Sequence, residues 1–115
     1  MKNKNTKTEY PIPQLREQLR QEAGSITQRL GRSVARLTSC DELPCPEYGE
    51  VVQHQMALAQ RLFYLQHCRT ALEKCIVSKS VTLRYRWSDG TVSRTVFRKC
   101  GPNRVRVTGL IPEAA

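Results

Sequence analysis

The sequence predicts an α+β protein, in which a long antiparallel helical hairpin is followed by a small basic antiparallel β-hairpin or three-stranded meander. Apolar residues recur at helical spacing between residues 15 and 76, and from residue 80 they alternate with polar residues as in a strand. The chain has 115 residues, enough for one small core. Four segments are expected: a disordered basic tail over 1–10, the helical hairpin over 11–78, the basic β-segment over 79–111 and a tail over 112–115.

The first predicted helix begins near Pro11 and Pro13, which fit a pre-helix segment and a first helical turn. Its apolar residues recur in steps of three and four, the spacing of one helix face. They are Leu15, Leu19, Ala23, Ile26, Leu30, Val34 and Leu37. Gly24 and Gly31 weaken this helix, which either breaks at Gly24 or continues with a weak point there. We favour a single helix; the two glycines also share a face that would admit another backbone.

Pro44 and Pro46 predict a turn over Asp41 to Gly49, because proline cannot continue a helix. The helix that follows has more apolar surface than one partner helix can cover. Its first apolar stripe recurs every seven residues and is expected to pack antiparallel on the first helix. That stripe comprises Val51, Leu58, Leu65 and Leu72, with Leu62 and Ile76 completing it.

The second apolar stripe on this helix consists of Val52, Met56, Ala59 and Phe63. It must meet either the β-segment or a second copy of the chain. The small core expected at this length favours a homodimer, with these four residues as the partner interface.

The β-segment begins with Val81, Leu83, Tyr85 and Trp87 on one face and Thr82, Arg84 and Arg86 on the other. Asp89-Gly90 predicts a two-residue type I′ turn. Counting outward from that turn pairs Trp87 with Val92, Tyr85 with Arg94, Leu83 with Val96 and Val81 with Arg98. The aromatic face would then carry Arg94 and Arg98, and the other face would collect Ser93, Thr95 and Phe97. Beyond Gly101, a third strand over 104–107 would place Arg104 and Arg106 on one face.

The positive charge is concentrated in this β-segment. The chain has a formal net charge of +9, of which +7 lies within residues 78–108. A neutral body with a basic end is typical of a surface that binds a polyanion. The candidate nucleic-acid-binding residues are Lys79, Arg84, Arg86, Arg94, Arg98, Lys99, Arg104 and Arg106. Tyr85, Trp87 and Phe97 could stack on unpaired bases, although the first two are more typical of a face packed on a helix.

Five cysteines and two histidines show no metal-binding spacing, and no catalytic motif is present. Cys40 and Cys45 could form a bridge across the turn, and the hairpin would return Cys100 to the vicinity of Cys75. Cys68 follows His67, but adjacent helical residues point about 100° apart. We therefore expect reduced structural thiols, no metal, no cofactor and no enzymatic activity.

These observations favour a small accessory or regulatory protein that binds DNA or RNA through an arginine-rich β-ribbon. The alternative is a protein-interaction module, an adaptor, subunit or inhibitor, which docks its basic face on an acidic partner or its second apolar stripe on a partner helix. Neither an apolar run long enough to span a membrane nor a secretory signal is present, so a cytoplasmic location is expected.

Overall fold

The computed structural model describes residues 7–39 and 45–112. These residues form two long helices and a four-stranded antiparallel sheet, which confirms the predicted α+β class. In chain order the elements are β1 (Lys7–Pro11), α1 (Ile12–Ser39), α2 (Cys45–Ser78), β2 (Ser80–Arg86), β3 (Val92–Gly101) and β4 (Arg104–Thr108).

Helix α1 runs unbroken through Gly24 and Gly31, as a single helix. In the turn that contains Gly24, the Thr27 hydroxyl donates a hydrogen bond to the carbonyl of Ala23 at 2.9 Å. Both glycines are exposed, and nothing lies within 4 Å of the position that a Cβ atom would occupy on either. No other described backbone therefore uses these glycines for a close approach.

The two helices pack side by side as the predicted hairpin. Val51, Leu58, Leu65 and Leu72 of the first apolar stripe of α2 are buried, and Leu62 and Ile76 are partly buried. A partly buried ion pair joins the helices, since both Nε and Nη2 of Arg61 donate to Glu22 Oε2, at 3.0 and 2.6 Å. Arg61 is only 8% exposed, and its remaining donor Nη1 bonds to the carbonyl of Ile111. This arginine therefore ties α2 to both α1 and the segment that follows β4.

The sheet covers a third face of α2 that the sequence analysis did not identify. Tyr64, Cys68, Ala71 and Cys75 are all buried and recur at steps of four, three and four. Helix α2 packs through this region on β2 and β3, whereas α1 contacts β1. The β-segment therefore folds on the chain's own helices, and it does so without covering the second apolar stripe.

Tyr64 is the centre of the contact between α2 and the sheet. Its ring is fully buried and lies 5.6 Å from the ring of Tyr85 and 5.3 Å from that of Trp87. Its hydroxyl lies 2.7 Å from Thr95 Oγ1 and accepts a hydrogen bond from the Ile111 amide at 3.0 Å. Burial raises the pKa of Tyr64 to about 12, so the hydroxyl stays protonated at neutral pH.

The strands lie in the order β1-β4-β3-β2, and every neighbouring pair is antiparallel. One face of the sheet contributes Phe97, Val105 and Val107 to the core beneath the helices. The opposite face is not covered by any described element. That uncovered face carries the charged side chains described below.

Two segment boundaries differ from the sequence prediction. The disordered tail expected over 1–10 does not extend over residues 7–10, which pair with β4 as part of β1. The turn expected over Asp41 to Gly49 does not extend over residues 45–49, because α2 already begins at Cys45, with Pro46 in its first turn, where no intrahelical hydrogen bond is lost. Residues 1–6 and 113–115, which fall in the two predicted tails, lie outside the described residues.

Helices α1 and α2, as described, lack any stretch that is both long and apolar enough to cross a membrane.

Candidate nucleic-acid interface

Trp87 and Thr91 extend the pairing of β2 and β3 by one position, and the loop between them contains three residues, Ser88–Gly90, so the predicted two-residue turn is wrong. The amide of Trp87 donates to the carbonyl of Thr91 at 2.8 Å, and the amide of Gly90 donates to the carbonyl of Trp87 at 3.0 Å. A type I′ turn needs positive φ at both central residues. Here Gly90 has φ of 91°, whereas Asp89 is not among the residues with positive φ. The glycine therefore closes a three-residue loop, the next commonest hairpin connection.

This extra loop residue shifts the pairing of β2 and β3 by one position. Arg84 lies opposite Arg94, and Val81 lies opposite Phe97. A one-residue shift transfers every side chain of one strand to the other face. The predicted mixed faces are therefore wrong: Ser93, Thr95 and Phe97 turn toward the helices, and Arg94 and Arg98 turn away from them.

The shift brings all six arginines of the β-segment to the uncovered face of the sheet. We call this surface the arginine face. It comprises Arg84, Arg86, Arg94, Arg98, Arg104 and Arg106, each of which is exposed. Sequence reasoning identified these six residues but had divided them between two faces.

Two pairs of these arginines lie directly opposite each other on neighbouring strands. Arg84 is the partner of Arg94, and Arg98 is the partner of Arg106. Like charges in this position destabilise a sheet. Within the described residues, Arg84, Arg86, Arg94 and Arg98 form no ion pair. This part of the face therefore holds cationic groups whose charge no described carboxylate offsets.

Strand β1 adds the single carboxylate that the described strands place on the arginine face. Glu9 lies opposite Arg106 and accepts a hydrogen bond from its Nη2 at 2.7 Å; Arg104 Nε lies 3.6 Å from the same carboxylate. The Arg106 guanidinium, through this bond and its charge, lowers the pKa of Glu9, with smaller effects from Arg104 and the Cys100 thiol. Glu9 therefore stays charged at neutral pH and forms ion pairs with two of the six arginines.

The two predicted lysines do not belong to the arginine face. Lys99 points to the helix side of β3, where its Nζ donates to the carbonyl of Ile76 at 3.4 Å near the end of α2. A cation is favourable there because it faces the negative end of the helix dipole. Lys79 joins α2 to β2 with φ of 75° and bonds through its backbone to Cys75 and Lys99. Lys99 therefore lies outside the arginine face, and a role of Lys79 in binding stays a prediction.

The aromatic residues of the β-segment face the helices. Phe97 is fully buried, and Tyr85 and Trp87 are partly buried with their ring centroids 4.8 Å apart. The indole Nε1 of Trp87 donates to Ser93 Oγ at 2.6 Å on that same side. Base stacking by these three rings on the arginine face is therefore excluded, because they lie on the other side of the sheet.

The cysteines and histidines of the described residues form no cluster of three or more metal-ligating groups with Asp or Glu. Cys68 is buried, which raises the pKa of its thiol to about 12, and the neighbouring His67 bonds through Nδ1 to the carbonyl of Phe63 at 2.7 Å. Cys75 is a buried free thiol and Cys100 an exposed one. The predicted bridge between Cys40 and Cys45 lies outside the described residues.

The second apolar stripe of α2 remains accessible. Met56 is 56% exposed and Phe63 is 55% exposed, while Val52 and Ala59 are partly buried. Neither the sheet nor α1 covers the two large side chains. The second apolar stripe was expected to contact either the β-segment or a second copy of the chain. The β-segment of the same chain is therefore ruled out as its partner.

No protein-family model, no curated protein and no solved structure matches this chain. The arginine face and the second apolar stripe are therefore the features of the chain that bear on its function.

Sequence reasoning missed Glu9, the one residue of the site that lies outside the β-segment. The sequence contains a short strand-like alternation just before the prolines, in which Thr8 and Tyr10 alternate with Lys7 and Glu9. In the structure Tyr10 packs on the core, and Glu9 turns to the opposite face. A five-residue strand with so few apolar side chains is too weak a pattern to separate from a charged tail.

Proposed function

We propose that this protein binds the phosphodiester backbone of double-stranded nucleic acid through the arginine face, as a binding protein without a catalytic step of its own. The observation that supports the proposal is the arrangement of six exposed arginines on one sheet face, where the described strands place a single carboxylate. Arginine donates two parallel hydrogen bonds to a phosphate and stays charged at every physiological pH. Arginines that lie opposite each other repel, and a bound anionic ligand would offset this repulsion.

The spacing of the arginines favours a duplex. They form two groups, one near the β2–β3 loop that contains Arg84, Arg86 and Arg94, and one at the other end of the sheet that contains Arg98, Arg104 and Arg106. Arg94 and Arg98 are four residues apart on β3, a distance of about 13 Å along a strand. The major groove of B-DNA is about 12 Å wide. The two groups can therefore contact phosphates on both sides of one groove.

The absence of aromatic side chains from this face supports the same conclusion. Proteins that hold single strands on a sheet stack the bases on exposed aromatic rings. The described strands place Tyr85, Trp87 and Phe97 on the helix side instead. A duplex needs no such stacking, and it presents about twice the charge per length of a single strand.

Binding to a duplex of about 20 base pairs, two helical turns, is expected to weaken steeply with salt. Four arginines that pair with no carboxylate of the described residues imply a slope of log K against log salt of about −3.6 for a duplex and about −2.8 for a single strand. Fluorescence anisotropy with duplex and single-stranded DNA and RNA of one length measures both slopes and affinities. The duplex should bind at least about tenfold more tightly at equal salt.

The outcomes of this titration separate the two parts of the proposal. Equal affinity for both forms would refute the duplex preference and retain nucleic-acid binding. No binding at low salt would refute nucleic-acid binding altogether and would leave an acidic protein surface as the partner of the arginine face.

The Glu9→Gln substitution is expected to raise the affinity for nucleic acid severalfold. It releases Arg104 and Arg106 from their internal partner, so that both become available to phosphates. The salt slope should steepen by about 1 to 2, one for each released arginine. Glu17→Gln, which removes an exposed carboxylate paired with Arg20 on α1, is the matched control. If both variants raise affinity equally, Glu9 acts only through net charge.

A further inference from the structure

The second apolar stripe of α2 has the spacing of a helix-pairing seam. Its members, Val52, Met56, Ala59 and Phe63, are separated by four, three and four residues, the a and d positions of a heptad repeat. Met56 and Phe63 are more than half exposed, whereas Leu58, Tyr64 and Leu65, on other faces of α2, are buried. Such a row of large apolar side chains on a helix is typical of a contact with another helix.

The charge distribution around this seam favours contact with a second copy of the chain. From Val51 to Cys68, α2 carries one Lys, Arg, Asp or Glu side chain, Arg61, which is turned inward and paired with Glu22. The excess positive charge of the chain is concentrated in the β-segment, so two copies repel each other most strongly where their arginine faces approach. This uncharged length of helix lets two copies approach without opposing like charges. This stretch of helix also presents no unpaired Lys or Arg that would attract an acidic partner.

The sizes of the side chains match in an antiparallel pairing of two such seams. If the two-fold axis crosses α2 between residues 57 and 58, Met56 faces Ala59 of the second copy, and Phe63 faces Val52 of the second copy. One further layer places Gln66 opposite Gly49, which is exposed and has open space at its Cβ position. Each large side chain thus meets a smaller one, and the contact is self-complementary, as a two-fold interface requires.

We propose that two copies of this protein associate through the second apolar stripe, with their α2 helices antiparallel and Met56 packed against Ala59 across the two-fold axis. The seam spans about 18 residues of α2, about 27 Å of helix. A contact of one helix pair is small for an obligate dimer, so the dimer dissociates on dilution. This inference does not depend on the proposed function of the arginine face.

Analytical ultracentrifugation of the full chain over a wide range of concentration tests the dimer. The mass is expected to rise from one chain to two with concentration. Met56→Glu combined with Phe63→Glu should give one chain at every concentration. Val92→Glu is the control, because Val92 is equally exposed at 56% but lies on β3. A wild-type chain that stays monomeric, or a double variant that still dimerises, overturns the proposal.

A charge pair tests the antiparallel register. Met56→Glu alone and Ala59→Lys alone should each weaken the dimer at least about tenfold, because each places an unpaired charge in the seam. Together they should restore most of the association, since the antiparallel register brings each glutamate opposite a lysine of the other copy. A parallel register would set like charges opposite each other. A double variant that dimerises no better than the single variants overturns the antiparallel pairing.

Discussion

Replacing Arg84, Arg86 and Arg94 together by alanine is expected to lower the affinity for duplex nucleic acid about 100-fold. These are three of the four arginines on the arginine face that pair with no carboxylate in the part of the chain that the structure describes. A charge-assisted contact contributes about 1 kcal/mol or more, so three contacts give about 3 kcal/mol and about two orders of magnitude in Kd. The salt slope should become shallower by about 2.7. Anisotropy titrations at several salt concentrations measure both quantities.

The triple substitution should leave the fold intact, which circular dichroism and thermal unfolding check. Arg84 and Arg94 oppose each other across the sheet, so their removal relieves repulsion. A matched control replaces Arg32, Arg69 and Lys74, three exposed cations on the helices, by alanine. That control lowers the net charge by the same amount. If it weakens binding as much, the interaction depends on total charge and the arginine face is not the binding surface.

The helices were predictable because their pattern repeats over many turns. The four residues of the first α2 stripe that recur every seven positions, and the four apolar residues of α1 from Leu15 to Ile26, are buried as expected. Farther along α1 the pattern persists but the burial does not, since Val34 is 51% exposed. Periodicity specifies which face of a helix is apolar. It does not specify how far along the helix a partner continues to cover that face.

The register of β2 and β3 was not predictable from the turn alone. Asp89-Gly90 fits both a two-residue loop and a three-residue loop that ends with glycine in the left-handed region. The alternation on β3 does not decide between them, because Val92 and Val96 suggest one buried face and Phe97 the other. Tertiary contacts decide: Phe97 packs with Val105 and Val107 in the core. Which residues lie on the arginine face therefore depends on contacts between residues that are distant in the sequence.

Substitution of Tyr64 by alanine is expected to cause the largest loss of stability, about 3 to 5 kcal/mol, as for other buried aromatic residues. The ring fills the space between α2 and the rings of Tyr85 and Trp87. The substitution leaves a cavity there and removes the acceptor for the Ile111 amide. Because domains of this size are stabilised by about 5 to 15 kcal/mol, a large part of the stability would be lost. Urea unfolding followed by circular dichroism measures the change.

Tyr64→Phe separates the hydroxyl from the ring. We expect a loss of about 1 to 3 kcal/mol, because the Ile111 amide loses its partner while Thr95 Oγ1 keeps its bond to the Gly109 carbonyl at 3.1 Å. The control is Phe63→Ala, measured where the chain is monomeric; Phe63 adjoins Tyr64 but is 55% exposed, so its loss should change stability by less than about 0.5 kcal/mol. Equal losses for Phe63→Ala and Tyr64→Ala would contradict this role. Because Tyr64 holds β2 and β3 on α2, its alanine variant should also weaken nucleic-acid binding, although every arginine is retained.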